Sequence, residues 1–438
     1  MAVTKEKDKE FNIKLYPIYK AFGADVLFYY AIEYIFMLEV KGFTPSQILL
    51  TDSLYPLFRI FLNIPSTFIT DRIGKKNSLV LGNIFLCISI LILILAPNLA
   101  IVSIGFFFMS FSFSLKKITE TNILADSVDM KEKEGRKLFS LVESIGNRNY
   151  YLLDGVTSFF TGFSYILNPY LPMIITLIFT MLATYLSTLF KHTSTKKELE
   201  KEKHSAENKS ILKEYKKYFI SLKDAFRDIF QSNRIKSLLL FVLFFDGLIY
   251  ASYSMRETLL TQNLGITPEY FSIIIAMLTI VSGLTSTLQK VIQKRFKNRA
   301  LQFVAFMFLS SFLLIAIISS ININYYLKLP IILLLFAIQY GIQSPYLTLM
   351  TLYSKNFAGS KLRIKISSVM EFIHNISEFL VAFIASILLN ILPIITNFYL
   401  VGIFYAIVMT IILIIIKNFL GLPPNKYSKE DVFNKEIK

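Results

Sequence analysis

Ionisable and strongly polar side chains lie inside several long apolar stretches of this sequence, where a charge is expensive. Such groups usually face water or a partner, and they often have a function. A carboxylate there can bind and release a proton, whereas a cation can hold a carboxylate or phosphate. The resulting candidates for substrate binding or proton coupling are Asp25, Tyr29, Glu33, Arg59, Lys116, Arg148, Asp154, Asp246, Gln339, Gln343 and Glu378.

The composition predicts that these residues are positioned by membrane helices. The chain has 438 residues, of which 54% are hydrophobic, and its mean hydropathy is +0.55. The apolar residues form about twelve runs long enough to cross a bilayer. Because a spanning segment must satisfy its own backbone, runs of this length indicate helices. We therefore predict an all-α polytopic membrane protein with about twelve transmembrane helices.

The apolar runs set the order of the predicted elements. Helices 1 to 6 are expected at about 16–40, 46–70, 78–96, 99–122, 138–164 and 171–190, and helices 7 to 12 at about 236–262, 269–291, 300–320, 330–352, 366–390 and 396–417. The linker between them has apolar residues at helical spacing among lysines in its second half, which predicts an amphipathic helix on anionic headgroups. The expected domains are 1–190, the cytoplasmic linker 191–235, 236–420 and a cytoplasmic tail 421–438.

The net charge of +16 comes largely from basic residues in alternate loops. This alternation follows the positive-inside rule and predicts cytoplasmic termini in a multi-pass plasma-membrane protein, not a nucleic-acid partner. The first fifteen residues lack a signal-peptide core. The single cysteine, Cys87, excludes a disulfide framework, and we expect no metal site and no cofactor.

The short connection after helix 2 carries a recognisable motif, Asp71-Arg72-Ile73-Gly74-Lys75-Lys76. It resembles the loop between helices 2 and 3 of major facilitator superfamily (MFS) transporters, whose signature is Gly-x-x-x-Asp-Arg-x-Gly-Arg/Lys-Arg/Lys. Thr67 stands where the family usually has the first glycine. The resemblance implies a gating loop in which Asp71 approaches the start of helix 11, Gly74 permits the turn, and Glu371 receives Arg72 or Lys75.

The two halves of the chain also resemble each other. The segment that begins at Gly42 reads Gly-Phe-Thr-Pro, and the one at Gly265 reads Gly-Ile-Thr-Pro. Ser140–Asn147 similarly matches Ser368–Asn375. Two sets of six helices in parallel repeat is the MFS plan, so the resemblance extends over essentially the whole chain. It implies that helices 3, 6, 9 and 12 are peripheral, and these have no charge in their predicted interiors.

The candidate residues have alternative roles. On a continuous helix 1, Asp25, Tyr29 and Glu33 would share one face. Asp25 suits either reversible protonation or pairing with Arg59 or Arg148. Asp246 and Glu378 are the stronger candidates for titrating groups in the second half.

The basic and amide side chains also have alternatives. Arg59, Lys116 and Arg148 suit an anionic substrate group or neutralisation by Asp25, Asp154 and Glu120. Gln339 and Gln343, one turn apart, suit substrate or helix contacts. His374 is interpreted as a hydrogen-bonded helix residue.

These features predict a secondary transporter of a small molecule that works by alternating access, is proton-coupled and acts as a monomer. Efflux is slightly favoured because of the aromatic content. However, the pattern Gly-x-x-x-Gly-Pro-x-x-Gly-Gly of many drug antiporters is missing from helix 5. The alternative is uptake or facilitation of an organic anion or sugar derivative. A lipid-modifying membrane enzyme is disfavoured because the loops lack acidic or histidine clusters, so we expect no enzymatic activity.

Overall fold

The computed structural model of the protein describes residues 2–128, 133–192, 211–229, 233–285, 288–356 and 360–419. Within these ranges every regular element is a helix. In the first half, helix 1 comprises Ala2–Gly23, Glu33–Ile35 and the π-helical turn Phe36–Val40, and it is followed by Pro45–Ile73, Lys75–Leu95, Leu99–Ser127, Lys133–Leu167 and Leu171–Leu189 as helices 2 to 6.

The second half repeats this order. The described part of the linker includes the helix Ile211–Ile229, which we call the linker helix. Helix 7 comprises Asn233–Thr258 and the π-helical turn Leu259–Asn263, helix 8 comprises Pro268–Thr285 and Leu288–Phe296, and helices 9 to 12 are Ala300–Ser320, Tyr325–Asn356, Ser360–Ile391 and Ile394–Phe419. The predicted helical membrane fold is therefore confirmed. The predicted tail 421–438 lies outside the described residues.

Nine of the described helices are long and apolar enough to cross a membrane by length and composition. Helices 1, 2 and 5 do not meet this criterion. Helix 1 is interrupted, and polar residues are interspersed along helices 2 and 5. These three helices carry Asp25, Arg59 and Asp154, whereas Lys116 is on helix 4, which meets the criterion.

Helix 1 is not continuous, and the prediction of one helix at 16–40 is wrong. Residues 24–32 are non-helical, and Phe28 has a φ of +65°, which is rare for a bulky residue. The Asp25 carboxylate accepts a hydrogen bond from the Val26 amide (2.9 Å), which competes with helical bonding. The Leu27 carbonyl accepts one from Thr176 Oγ1 on helix 6 (2.9 Å). Asp25, Tyr29 and Glu33 therefore do not share one helical face, contrary to the prediction.

Helices 1 and 7 end in the same way. In each, a π-helical turn is followed by a glycine with positive φ, +69° at Gly42 and +65° at Gly265. The amide of the next residue then bonds back into the turn, Phe43 to Met37 and Ile266 to Leu260, both at 3.0 Å. The repeat found in the sequence thus includes the backbone hydrogen bonds.

The chain forms two compact units. Unit 1 contains Met1–Phe43, Leu54–Lys217 and Pro268–Ala276, and unit 2 contains Thr44–Ser53, Tyr218–Thr267 and Met277–Lys438. In unit 1, Tyr16, Tyr19 and Phe190 belong to a buried cluster that joins helices 1, 3, 4 and 6. In unit 2, the rings of Phe245 and Tyr346 are 4.6 Å apart and link helices 7 and 10.

Helix 5 and the beginning of helix 8 approach closely within unit 1. A Cβ atom at Gly162 would lie 2.5 Å from the Pro268 carbonyl oxygen and 2.6 Å from Glu269 Cα. The Gly162 amide is also 3.1 Å from Ser272 Oγ. Only glycine fits this contact without moving the backbone.

The linker helix is attached to helix 2 through a carbonyl that a proline leaves unused. Pro65 has no amide hydrogen, so it cannot bond to the carbonyl of Phe61 one turn earlier. The Tyr215 hydroxyl donates to that carbonyl at 2.8 Å. This bond joins the first turns of the linker helix, which belong to unit 1, to helix 2.

Candidate functional site

Unit 2 contains a cluster of titratable side chains on helices 7, 10 and 11. Asp246 accepts a hydrogen bond from the Tyr346 hydroxyl at 2.5 Å through Oδ1. Its Oδ2 is 2.8 Å from His374 Nδ1. The other ring nitrogen of His374, Nε2, is 3.1 Å from Glu378 Oε1. One imidazole therefore bridges two carboxylates. We call the four residues Asp246, Tyr346, His374 and Glu378 the Asp246–His374 cluster.

Close packing of helices 7, 11 and 12 holds this cluster in place. Gly247, next to Asp246, has no side chain, and a Cβ there would lie 2.6 Å from the Tyr405 hydroxyl oxygen. Ser377, on helix 11, donates to the Leu243 carbonyl of helix 7 at 2.5 Å. His374 and Glu378 are one turn apart, so helix 11 places both beside Asp246.

The Asp246–His374 cluster can hold a proton. Asp246 and Glu378 are the two predicted titrating groups, and the structure brings them together through His374. His374 is a hydrogen-bonded helix residue, but the sequence interpretation did not connect it to either carboxylate. Its spacing from Glu378 in an apolar helix was the available signal. Among the described residues no group of three or more His, Cys, Asp or Glu is arranged to hold a metal ion.

A second polar cluster of unit 2 joins helices 7 and 10. The Ser252 hydroxyl donates to Gln339, and the Tyr253 hydroxyl donates to Gln343. The structure thus places both predicted glutamines on one side of helix 10, in contact with helix 7. These hydrogen bonds join the two helices.

Arg256 belongs to this second cluster, but the sequence interpretation did not select it. Its guanidinium lies 5.0 Å from the Tyr253 ring centre and 5.2 Å from that of Tyr340. It also donates to the Tyr340 hydroxyl, and it pairs with Glu257 at 3.3 Å. Its position near the end of an apolar helix resembles that of an interfacial arginine.

Unit 1 positions Asp25 at the interruption of helix 1. The Tyr150 hydroxyl of helix 5 lies 3.5 Å from Asp25 Oδ2. Lys116, on helix 4, is buried beside the Phe113 ring, and its Nζ has no hydrogen-bond partner among the described residues. Its neutralisation by a carboxylate stays a prediction.

The other candidates of unit 1 lie on helices 1, 2 and 5. Tyr29 donates to Glu33 at 2.5 Å, next to the interruption. The Asp154 carbonyl accepts a hydrogen bond from the Thr157 hydroxyl on the same helix (3.1 Å). The Arg59 guanidinium lies 5.7 Å from the Tyr55 ring centre, and Arg148 is exposed.

Unit 1 also contains a buried ion pair that the sequence interpretation missed. Lys20 of helix 1 contacts Glu143 of helix 5, and the Tyr16 hydroxyl donates to the same carboxylate at 2.5 Å. The spacing of Tyr16 and Lys20, one helical turn apart, was the available signal. The pair links helix 1 to helix 5.

The predicted gating loop forms a tight connection. Gly74 has a φ of +82° and precedes the first residue of helix 3, which favours glycine. Lys75 Nζ pairs with Asp126 Oδ2 at 2.5 Å on helix 4, within unit 1. The Arg72 guanidinium lies 4.3 Å from the Phe68 ring centre. Asp71 is in the last turn of helix 2, Glu371 is on helix 11 in unit 2, and the gating role stays a prediction.

Comparison with known proteins identifies the family of the chain. The sequence profile described as Major Facilitator Superfamily matches residues 21–360. No curated protein sequence matches the chain.

Solved structures are similar in fold. The nucleoside transporter NupG is 11% identical with a TM-score of 0.69, covering 96% of this chain and 100% of that one. A D-xylose-proton symporter is 9% identical with a TM-score of 0.65, covering 98% and 100%. A POT family transporter in complex with 5-aminolevulinic acid is 15% identical with a TM-score of 0.64, covering 95% and 96%.

Proposed function

The chain belongs to the Major Facilitator Superfamily, and we propose from this that it is a proton-coupled secondary transporter of a small polar molecule. The observation that carries the proton coupling is the Asp246–His374 cluster. Alternating access would carry substrate and proton through the same conformational change.

The cluster supports proton coupling through its charge and its access to water. His374 has a side chain that is 39% exposed, whereas those of Asp246 and Glu378 are 9% and 18% exposed. A charged group is not stable against hydrocarbon, so the exposed part of His374 would face a wet cavity. Protons can then reach a site whose carboxylates are largely shielded.

The structural contacts favour a polar substrate over an amphipathic one. The sequence favoured efflux because of its aromatic content, but many of these tyrosines donate to carboxylates and amides, as Tyr253 does to Gln343. A site lined by such groups discriminates by hydrogen bonds, since leaving them unpaired is costly. Because a similar solved structure is a proton symporter, we favour uptake, and efflux is the second candidate. The similar structures are a nucleoside transporter, a D-xylose-proton symporter and a POT family transporter in complex with 5-aminolevulinic acid, which supports testing polar compounds first.

Flux into proteoliposomes tests the function. Purified protein would be assayed with radiolabelled uridine, D-xylose, 5-aminolevulinic acid and a dipeptide, with and without an imposed pH gradient. We expect one class to accumulate faster with a gradient that is acid outside, and protein-free liposomes to show no such flux. Efflux coupling would instead require a gradient of opposite sense. Flux that is indifferent to both gradients would contradict proton coupling.

We propose further that the loop after helix 2 is a gate, in keeping with the family motif. Asp71→Asn is expected to lower transport severalfold at unchanged membrane expression, because it removes the one acidic member of the motif. Asp71→Glu, which keeps the charge, is the matched variant and should recover part of the rate. Wild-type flux in Asp71→Asn would exclude this role.

The topology is also proposed. We propose that the protein is a monomer in the plasma membrane, with both termini and the linker 191–235 in the cytoplasm. The basic face of the linker helix would then lie on anionic headgroups. The variant Cys87→Ser would remove the single cysteine, so cysteines introduced one at a time into loops could be labelled from either side. Labelling of a linker cysteine from outside intact cells would reverse the topology.

A further inference from the structure

The contacts of His374 fix the number of protons in the Asp246–His374 cluster. A neutral imidazole has one N–H donor and one nitrogen lone pair. With the donor on Nδ1 facing Asp246, a neutral ring would turn its Nε2 lone pair toward the Glu378 carboxylate, 3.1 Å away. Two acceptors repel at this distance, so one proton must lie between His374 and Glu378.

The two sides of the imidazole differ in how firmly they are held. Asp246 is the more buried carboxylate, and the Tyr346 hydroxyl donates to its second oxygen. The Nδ1 contact is also the shorter one, 2.8 Å against 3.1 Å. The Nδ1–H bond to Asp246 therefore orients the ring, and the exchangeable proton is the one on the Nε2 side.

We propose that His374 carries the coupling proton on Nε2 and passes it to Glu378, while Asp246 and Tyr346 act as positioning residues. This inference rests on the proposed proton-coupled transport. In the first step the N–H bond of the imidazolium breaks and an O–H bond forms at Glu378 Oε1. In the second step the Glu378 carboxylic acid gives the proton to water, which leaves a neutral imidazole and two carboxylates.

The charge of the cluster explains how this proton would be coupled to conformation. When the proton is on His374, one imidazolium balances the two carboxylates; when it is on Glu378, only one carboxylate remains charged. In either form the cluster tolerates a dry, occluded state. Without the proton, two carboxylates flank a neutral ring and require water. The substrate-loaded protein would therefore pass through the occluded state with the proton bound.

The surroundings contain few other groups that could take this role. Asp246 faces His374 from helix 7, and Glu378 faces it from helix 11, which carries both residues. Tyr346 of helix 10 contacts the imidazole only indirectly, through Asp246. On helix 12, Tyr405 lies beside Gly247, and on helix 11, Glu371 is one turn before His374. Within these residues, His374 is the base that bridges two acids.

The small number of histidines makes a direct spectroscopic test practical. The sequence contains three, His192, His204 and His374, so protein labelled with ¹⁵N-histidine in nanodiscs gives a simple spectrum. In the double variant His192→Gln/His204→Gln, His374 is the single remaining histidine. The ¹⁵N chemical shifts of its ring then report which of the two nitrogens are protonated. Partial desolvation and the charge of Lys76 lower the pKa of His192, so in wild type that ring serves as a neutral reference at pH 7.

We expect both ring nitrogens of His374 to be protonated at pH 7. In Glu378→Gln the ring should release its Nε2 proton about one pH unit lower, because an opposite charge next to the imidazolium is lost, and should keep Nδ1–H. Glu269→Gln, which removes a carboxylate from helix 8, is the control and should leave the titration unchanged. A neutral His374 at pH 7, or an equal shift in both variants, would overturn the proposal.

A transport measurement separates proton carrying from a merely structural role. In His374→Asn the amide can still donate to Asp246, but no proton is carried toward Glu378. We expect it to lose the acceleration by a pH gradient and to retain exchange of the substrate found for wild type. Gradient-driven uptake equal to wild type would overturn the role of His374. If wild-type flux itself ignores the gradient, the proposed function fails, whatever the histidine spectra show.

Discussion

Helices 1 and 7 are repeats that end alike but differ in the middle. Both finish in a π-helical turn followed by a glycine of positive φ and a Thr-Pro pair. Upstream of this turn helix 1 is interrupted at residues 24–32, whereas helix 7 is helical from Asn233 to Thr258. The shared sequence motif specifies the shared end, whereas upstream of it the two helices differ both in sequence and in what packs against them.

Helix 6 provides the contacts that hold the interruption. Thr176 bonds to the Leu27 carbonyl, and Phe179 packs against Phe28, with ring centres 5.5 Å apart. Helix 7 instead packs closely on helix 11 beside Gly247. The first half thus places Asp25 on an irregular segment. The second half places Asp246 on a regular helix, where one histidine joins it to Glu378.

The largest expected effect is the difference between Asp246 and Asp25. Asp246→Asn should abolish the response of transport to a pH gradient, because it loses the charge that orients the His374 imidazolium. The initial rate of gradient-driven flux should fall more than tenfold relative to wild type. Asp25→Asn should lower the rate and keep the response. Both are measured as flux into proteoliposomes at equal protein content. An equal loss of the response in the two variants would show that the halves do not differ in this way.

A second comparison uses two glycines of helix 5. Gly162→Leu places a side chain against the backbone of Pro268 and Glu269, and overpacking of this kind costs about 1–3 kcal/mol. Gly155→Leu is the matched control, because no atom lies within 4 Å of a Cβ at Gly155. Thermal unfolding in detergent should show a lower Tm for Gly162→Leu alone. Equal Tm values would contradict the close helix contact.

The interruption of helix 1 can be tested from helix 6. Thr176→Val leaves the Leu27 carbonyl without its donor, which costs about 1–2 kcal/mol for a buried acceptor. Thr180→Val is the control, because its hydroxyl bonds to a carbonyl on its own helix. A thiol-reactive dye can report unfolding through Cys87, the only cysteine. If Thr180→Val is equally destabilised, helix 6 does not hold the interruption.

The smallest expected effect concerns the linker helix. Tyr215→Phe removes the bond to the Phe61 carbonyl and should cost about 0.5–1 kcal/mol. In a Pro65→Ala background, the residue 65 amide can bond to that carbonyl, so the same change should cost less. A double-mutant cycle measured by thermal unfolding gives the coupling. If the stability costs of Tyr215→Phe and Pro65→Ala are additive, Pro65 is not the reason why the Phe61 carbonyl is free to accept from Tyr215.

The sequence predicted the fold closely where lipid dictates the pattern. Helix 9 was expected at 300–320 and is Ala300–Ser320, and helix 6 was expected at 171–190 and is Leu171–Leu189. In these helices hydropathy alone determines the span. The repeat could be predicted as well, because its Gly and Pro residues are demanded by local backbone geometry.

The parts that could not be predicted depend on contacts distant in sequence. The interruption of helix 1 is contacted by Thr176 and Phe179, about 150 residues away, and the one local signal is Gly23, the last residue before it. Asp246 and Glu378 were selected as single charges in apolar helices. Their connection through His374 appeared only when helices 7 and 11 were packed together.

The most direct test of proton-coupled transport is the pH of a weakly buffered suspension of proteoliposomes, recorded with an electrode when the transported substrate is added outside. We predict alkalinisation in wild type, since substrate entering with a proton removes that proton from the medium, and no change in Asp246→Asn. Acidification would mean exchange of substrate for a proton and would support efflux. Substrate entry without any pH change would contradict proton coupling.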